Sequence, residues 1–209
     1  MTAEEKIRES DYNLNKLKRT EPMTDEYFYE FNCFIASTRS ILDHLLDDYN
    51  VKYNLGIPLD IRYLLGEFRK KSQKNPTACN FLKWYDFQYD EIIKNSTYGF
   101  LIEKRNLLLH RKTVKPKSFK LSIEFPKGAT LNSTEGESYF PLMIGRNETT
   151  MKITTVDAKT GESKEREVEA KSTIECYLEE NPNETIETIC ALFLDRIKKL
   201  VSDAHSQFD

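Results

Sequence analysis

The spacing of apolar residues changes twice along this chain, and the two changes limit the folds that it can adopt. Up to about residue 112, apolar side chains recur every three or four residues, as on one face of a helix. From Phe119 to Phe125 they alternate with polar residues, which is typical of a half-buried strand. Helical spacing returns at about residue 182. The pattern predicts a mainly α (α+β) chain, with a β-rich insertion before its last helix.

Five helices are predicted before the insertion, joined by the short connections of an antiparallel helical bundle. Thr2 and Glu5 have the spacing of a capping box, and Asn75 precedes a proline at the first helical position. The predicted helices cover about 2–20, 25–50, 59–74, 76–94 and 97–112. A last helix to about residue 206 is expected to begin at the cap-like segment 181–184.

Apolar stripes predict which helix faces form the core. The second helix carries Phe28, Phe31, Ile35, Thr38, Leu42, Leu45 and Tyr49. The fourth carries Phe81, Trp84, Phe87, Tyr89, Ile92 and Ile93. The last carries Ile186, Ile189, Cys190, Phe193, Leu194, Ile197, Leu200 and Val201.

The insertion, about 117–178, contains several predicted strands. Its segments MKITTV and KEREVEA are predicted to form a hairpin with Gly161 in the turn. We find no internal repeat and no flexible linker. A single domain, 1–209, is therefore expected, with a helical core at about 2–112 and 182–207.

Composition narrows the classes of function. The chain has 209 residues, a net charge of -3 and 31% charged residues, which argues against a generally basic nucleic-acid binder. No apolar run approaches the roughly 20 residues of a membrane helix, and the polar first residues do not resemble a signal peptide. We therefore expect a cytoplasmic protein without a membrane partner. The four cysteines form no CxxC pair, so reduced thiols are favoured over disulfides or a metal site, and no metal or cofactor is expected.

The stretch GFLIEKRNLLLHRKT, residues 99–113, combines leucines with a polar trio on one predicted helix. Asn106 and His110 are four residues apart and share a face, and Arg105 lies one position round from Asn106. The leucines lie on other faces of the same predicted helix, and these faces can contact the bundle and a second subunit. The arrangement suits a polar site on a rigid, partly buried helix.

Histidine moves protons near neutral pH, and the planar fork of arginine fits a phosphate. Asn106 can orient the imidazole or bind a phosphate oxygen. These groups suit cleavage of a phosphodiester by its own 2′-hydroxyl, which needs no metal. Because the reaction needs a base and an acid, a twofold dimer that joins two His110 side chains would complete the site.

Basic residues cluster around this trio, with only Glu103 opposing them between 101 and 120. A cationic patch on an acidic protein can attract phosphate, and we expect Lys104, Arg111 and Lys112 to bind substrate. A solvated charge run is the alternative interpretation of the same pattern.

The motif Arg105-Asn106-Leu107-Leu108-Leu109-His110 resembles the R-x4–6-H motif of the HEPN superfamily, and residues 28–46 resemble the long early helix of its helical bundles. The resemblance implies a metal-independent endoribonuclease that acts on RNA as a homodimer. It assigns the catalytic pair to Arg105 and His110, with Asn106 as their polar neighbour. Members often serve as toxins of toxin–antitoxin systems, with an antitoxin protein as partner, or as antiphage effectors. Others are inactive binding or scaffold modules for a protein or nucleotide, and that alternative stays open here.

Each candidate side chain also has a plain structural interpretation. His110 could simply favour the C-terminal dipole of its helix. Arg39 could face the cleft, but an ion pair with Asp43, four residues on, is favoured. His44 and His205 are expected at the surface.

Overall fold

The computed structural model describes residues 2–58, 63–93, 99–101, 118–124, 138–141, 150–156, 163–169 and 171–209. The chain divides into two compact units: Met1–Pro116 with Tyr177–Asp209, and Lys117–Cys176. The described chain is mainly helical, and strands precede the last helix, as predicted. The single-domain interpretation stays a prediction.

The helices of the first unit are α1 (Ala3–Arg19), α2 (Asp25–Lys52), α3 (Leu64–Ser72), α4 (Pro76–Ile93) and α5 (Ile186–Phe208). Their bounds agree with the predictions to within a few residues except at two helix starts. The start of α5 differs, and residues 59–62, where α3 was expected to begin, lie outside the described part. Of the helix predicted at 97–112, Phe100 and Leu101 are described and helical.

Local capping explains where the first helices begin. The Thr2 hydroxyl accepts a hydrogen bond from the Glu5 amide at 3.2 Å, and the Thr2 amide donates to Glu5 Oε2 at 2.8 Å. The predicted capping box is thereby confirmed. At α4, Oδ1 of Asn75 accepts from the amides of Thr77 and Ala78, both at 3.1 Å, so the predicted cap is confirmed there as well.

Two three-stranded sheets lie between α4 and α5, in the orders β1-β5-β6 and β2-β3-β4. Their strands are β1 (Ser118–Glu124), β2 (Ser138–Pro141), β3 (Thr150–Val156), β4 (Ser163–Glu169), β5 (Lys171–Leu178) and β6 (Asn181–Thr185). The antiparallel pairing of β3 with β4, which places Val156 opposite Ser163, confirms the predicted hairpin. Gly161 and the rest of its turn lie outside the described residues.

The predicted start of the last helix is wrong by about one turn. Segment 181–184 belongs to β6, which pairs with the end of β5, and α5 begins at Ile186. The amide group of Asn181 donates to Glu184 at 2.6 Å, so this side chain serves a local turn. The cap is instead Thr185, whose hydroxyl accepts from the Thr188 amide at 3.3 Å.

The core of the helical unit lies where α2 packs against α1 and α5. On α5, every residue of the predicted stripe is buried. Phe81 of α4 is fully buried, stacks on Tyr49 with ring centroids 4.0 Å apart, and meets Phe208 edge-on at 5.4 Å. This aromatic cluster ties α2, α4 and α5 together.

One predicted core residue of α4 is misplaced, because Phe87 is 62% exposed. The buried line of α4 runs through Phe81, Leu82 and Tyr85. Phe87 follows Tyr85 by two residues, a rotation of about 200° around a helix, so its ring lies on the outer face.

Candidate functional site

The motif residues Lys104, Arg105, Asn106, His110, Arg111 and Lys112 lie outside the described residues. The described chain leads into this segment through Gly99 and Phe100 to Leu101, which is 1% exposed. Leu101, three residues before Lys104, is therefore held in the core of the helical unit.

Arg39 lies on α2, and the sequence favours an ion pair with Asp43 over a place in the cleft. Its Nη1 donates to Asp43 Oδ1 at 2.9 Å, so the favoured ion pair is confirmed. Burial would lower the pKa of Arg39, but Asp43 and the nearby hydroxyls of Tyr85 and Tyr89 outweigh it and raise that pKa. Arg39 is therefore a fixed cation that neutralises Asp43.

His44 is half-buried rather than exposed. Its Nδ1 lies 4.0 Å from Asp47 Oδ2, too far for a hydrogen bond. Within the described part of the chain, His44 Nδ1 and Asp47 Oδ1 are both buried without a hydrogen-bond partner. Burial, with smaller effects from Asp43 and Asp48, raises the pKa of Asp47, and His44 opposes that rise. Ionising Asp47 therefore costs more free energy in the folded protein than in water.

A polar cavity of about 360 Å³ lies at one end of the helical unit, walled by the start of α1 and the ends of α2 and α5. Asp209 is its centre, because Oδ1 accepts from Tyr49 at 3.1 Å and from Lys52 at 2.8 Å. The bond from Lys52 lowers the pKa of Asp209. His205 Nδ1 lies 3.6 Å from Glu4 and 3.7 Å from Asp209, so this histidine is half-buried in the wall, contrary to expectation.

The same cavity is bordered by Asp48, whose Oδ2 accepts from the Ala3 amide at 2.8 Å and so holds the first turn of α1. Burial raises the pKa of Asp48, and that hydrogen bond opposes the rise. The charged groups around the cavity largely satisfy one another. These contacts link the start of α1 to the ends of α2 and α5. Sequence spacing could not reveal them, since the partners are up to 160 residues apart.

The cysteines and acidic side chains do not form a metal centre in the described part of the chain: no group of three or more His, Cys, Asp or Glu side chains there could hold a metal ion. All four cysteines are free, and Cys176 and Cys190 are buried. Burial raises the pKa of the Cys190 thiol well above its usual range, which makes it unreactive.

Comparison with known proteins finds no matching family model, no matching curated protein and no matching solved structure. Among the described helices, none is both long and apolar enough to cross a membrane.

Proposed function

We propose that this protein is a metal-independent endoribonuclease of the HEPN type that cleaves RNA as a homodimer. The observation that carries the proposal is the Arg105-Asn106-x3-His110 motif within a basic segment. Arg105 and His110 are the proposed catalytic pair, and Asn106 orients them. Lys104, Arg111 and Lys112 hold the substrate backbone.

The described architecture supports the proposal by supplying a stable frame. The unit that contains the motif is built on long helices. On α2, the side chains of Phe31, Phe34 and Leu45 are completely buried. Leu101, 1% exposed, anchors the chain four residues before Arg105. A catalytic pair needs such support, because a shift of about 1 Å can cost a hundredfold in rate.

The chemistry follows from the two side chains. One His110 accepts the proton of the ribose 2′-hydroxyl, and the 2′-oxygen attacks the adjacent phosphorus. The bond from phosphorus to the 5′-oxygen breaks, and the His110 of the second subunit protonates that leaving oxygen. Arg105 donates to the phosphate oxygens and stabilises the charge that develops there. The products carry a 2′,3′-cyclic phosphate and a 5′-hydroxyl.

We further propose a cytoplasmic role as a toxin or an antiphage effector, with an antitoxin protein as partner. Cleavage of cellular RNA harms the cell that makes the enzyme, so a partner that restrains the dimer is expected.

The test is cleavage of labelled single-stranded RNA in EDTA by the wild type and by His110→Ala and Arg105→Ala. Both variants should lose at least a hundredfold in rate, since each removes a group that acts in the transition state. His44→Ala and His205→Ala are matched controls, because both histidines stand beside carboxylates of the helical unit. They should cleave at the wild-type rate.

An unchanged rate in His110→Ala or Arg105→Ala would contradict the proposal. Wild-type protein that forms a dimer and cleaves no RNA would instead favour the inactive binding module.

A further inference from the structure

A polar groove of about 490 Å³ lies between the end of α4 and the second half of α5. On the α4 side it is lined by Gln88, Glu91 and Ile92, whose spacing puts them on one helix face. On the α5 side it is lined by residues that also share one face: Arg196, Lys199, Leu200 and Asp203. The volume lies within the roughly 300–1,000 Å³ of small-ligand sites. We call this cavity the α4–α5 groove.

The charges that line the α4–α5 groove cancel. Arg196 and Lys199 are positive, and Glu91 and Asp203 are negative. A simple anion such as phosphate would meet as many carboxylates as cations, so the groove does not favour it. Selective binding there has to come from hydrogen bonds.

Three polar side chains of the groove are unused within the described part of the chain. Gln88, Lys199 and Asp203 form no hydrogen bond or ion pair with any described residue. Lys199 and Asp203 remain unpaired although they are four residues apart on one helix face. The cavity around Asp209 differs, because its charged groups largely satisfy one another. The α4–α5 groove thus offers donors and acceptors to a ligand.

We propose that the α4–α5 groove binds a guanine base. The carboxylate of Asp203 has two acceptor oxygens, and guanine carries two adjacent donors, N1–H and the 2-amino group, that can bind both. Lys199 and the amide of Gln88 are donors that suit the O6 and N7 acceptors of the same base. Ile92 and Leu200 are buried and give the ring an apolar contact.

Other bases match this set of groups less well. Uracil carries one donor between two acceptors, and adenine and cytosine each carry an amino group beside an acceptor. None of them gives the Asp203 carboxylate two adjacent donors, and an acceptor facing that carboxylate would lose its hydrogen bond to water without a replacement. The groove should therefore prefer guanine.

The inference rests on the proposed function for the source of the base, because a single-stranded RNA substrate exposes its base edges. The groove belongs to the same unit as the Arg105–His110 motif. A guanine bound there would give the nuclease a preference for RNA with an unpaired guanine. A free guanine nucleotide presents the same edge and is the other source of the base.

The test compares the affinities of fluorescein-labelled oligouridylates of about ten nucleotides by fluorescence anisotropy in EDTA. The background variant is His110→Ala, so that the probes stay intact. A probe with one central guanosine should bind about tenfold more tightly than the probe with uridine alone. Inosine at that position lacks the 2-amino group and should bind about fivefold less tightly than guanosine.

Two variants assign the preference to the groove. Asp203→Asn replaces an acceptor oxygen by a donor and should abolish the guanosine preference while leaving the affinity for the uridine probe unchanged. Asp195→Asn, at an exposed position of α5, is its matched control. Gln88→Glu replaces a donor by an acceptor and should weaken binding of the guanosine probe, whereas Gln73→Glu, at an exposed position, should not. Asp203 and Gln88 have no bond to a described residue to lose, and circular dichroism checks that both variants fold.

Competition with unlabelled guanosine monophosphate identifies the source of the base. Displacement near the Kd of the RNA probe would make the free nucleotide the ligand, and displacement only at far higher concentrations would make RNA the ligand. Both results support guanine recognition. Equal displacement by guanosine and uridine monophosphates would contradict it.

Three results would overturn the inference: equal affinities for the guanosine and uridine probes, no detectable binding of either probe, or a guanosine preference that survives Asp203→Asn. These outcomes are separate from the cleavage assay. RNA cleavage without a guanosine preference would contradict this inference alone. A preference that depends on Asp203, together with a wild type that cleaves nothing, would support it and contradict the nuclease.

Discussion

The side chain of Asn50 is hydrogen-bonded to both backbone polar groups of Ile57. Its Nδ2 donates to the Ile57 carbonyl at 2.8 Å, and its Oδ1 accepts from the Ile57 amide at 3.1 Å. Both residues are buried. Between them the chain reverses through Asn54 and Gly56, which have positive φ angles of 51° and 64°. Asn50 thereby closes the connection that follows α2.

Asn50→Ala should destabilise the protein by about 2–4 kcal/mol, because it leaves a buried amide and a buried carbonyl without partners. The measurement is urea unfolding followed by circular dichroism. Asn80→Ala, at an exposed position of α4, is the control and should change stability by less than about 0.5 kcal/mol. Equal midpoints for the two variants would show that Asn50 does not hold the connection.

Phenylalanines on opposite faces of α4 should differ sharply. Phe81→Ala removes a fully buried ring that contacts Tyr49 and Phe208, and should cost about 3–5 kcal/mol. Phe87→Ala should cost less than about 0.5 kcal/mol, since that ring is already in water. Both values come from the same denaturant titration. A large loss for Phe87→Ala would mean that its ring is packed.

Asp47 should make stability depend on pH. Burial raises the pKa of Asp47, so ionising its carboxyl costs more in the folded state than in the unfolded state. That cost is absent below the unfolded pKa of about 3.9, grows as pH rises from there to the raised folded pKa, and is constant above it. Asp47→Asn should therefore raise Tm by about 1–3 °C at pH 7. The gain should vanish as the pH approaches about 4.

Thermal unfolding at several pH values measures this difference. Asp195→Asn, at an exposed position of α5, should show no such gain. A gain from Asp47→Asn that is independent of pH would exclude carboxyl ionisation as its cause.

Growth of cells that express the protein tests the toxin role. Wild-type protein should slow growth by cleaving cellular RNA, and His110→Ala or Arg105→Ala should restore it. His205→Ala should remain as harmful as the wild type, because His205 belongs to the cavity wall. Equal growth with all of these proteins at equal expression would argue against a toxin.

Local features of the fold could be predicted from the sequence, since they depend on neighbours along the chain. The Thr2–Glu5 capping box and the buried stripe of α5 are such features. Phe87 was misplaced because spacing alone does not show which of two overlapping apolar lines packs. Segment 181–184 has the residue types of a helix cap, but its pairing with β5 overrides that local preference.

Contacts between distant residues could not be predicted. The bonds of Asp209 to Tyr49 and Lys52 bring together the ends of α5 and α2, and no spacing rule connects them. The Arg105–His110 motif is the opposite case. Its residues lie within six positions of one another, so the sequence alone shows it, and its partner groups across the proposed dimer belong to a second chain.

The most direct test of the central claim is the chemistry of the cut made in RNA by purified protein in EDTA. We predict products that end in a 2′,3′-cyclic phosphate and a 5′-hydroxyl, and no cut at a position where a single 2′-deoxynucleotide replaces the ribose. Cleavage that continues at the 2′-deoxy position, or that requires added magnesium, would contradict attack by the 2′-hydroxyl and with it the assigned roles of Arg105 and His110.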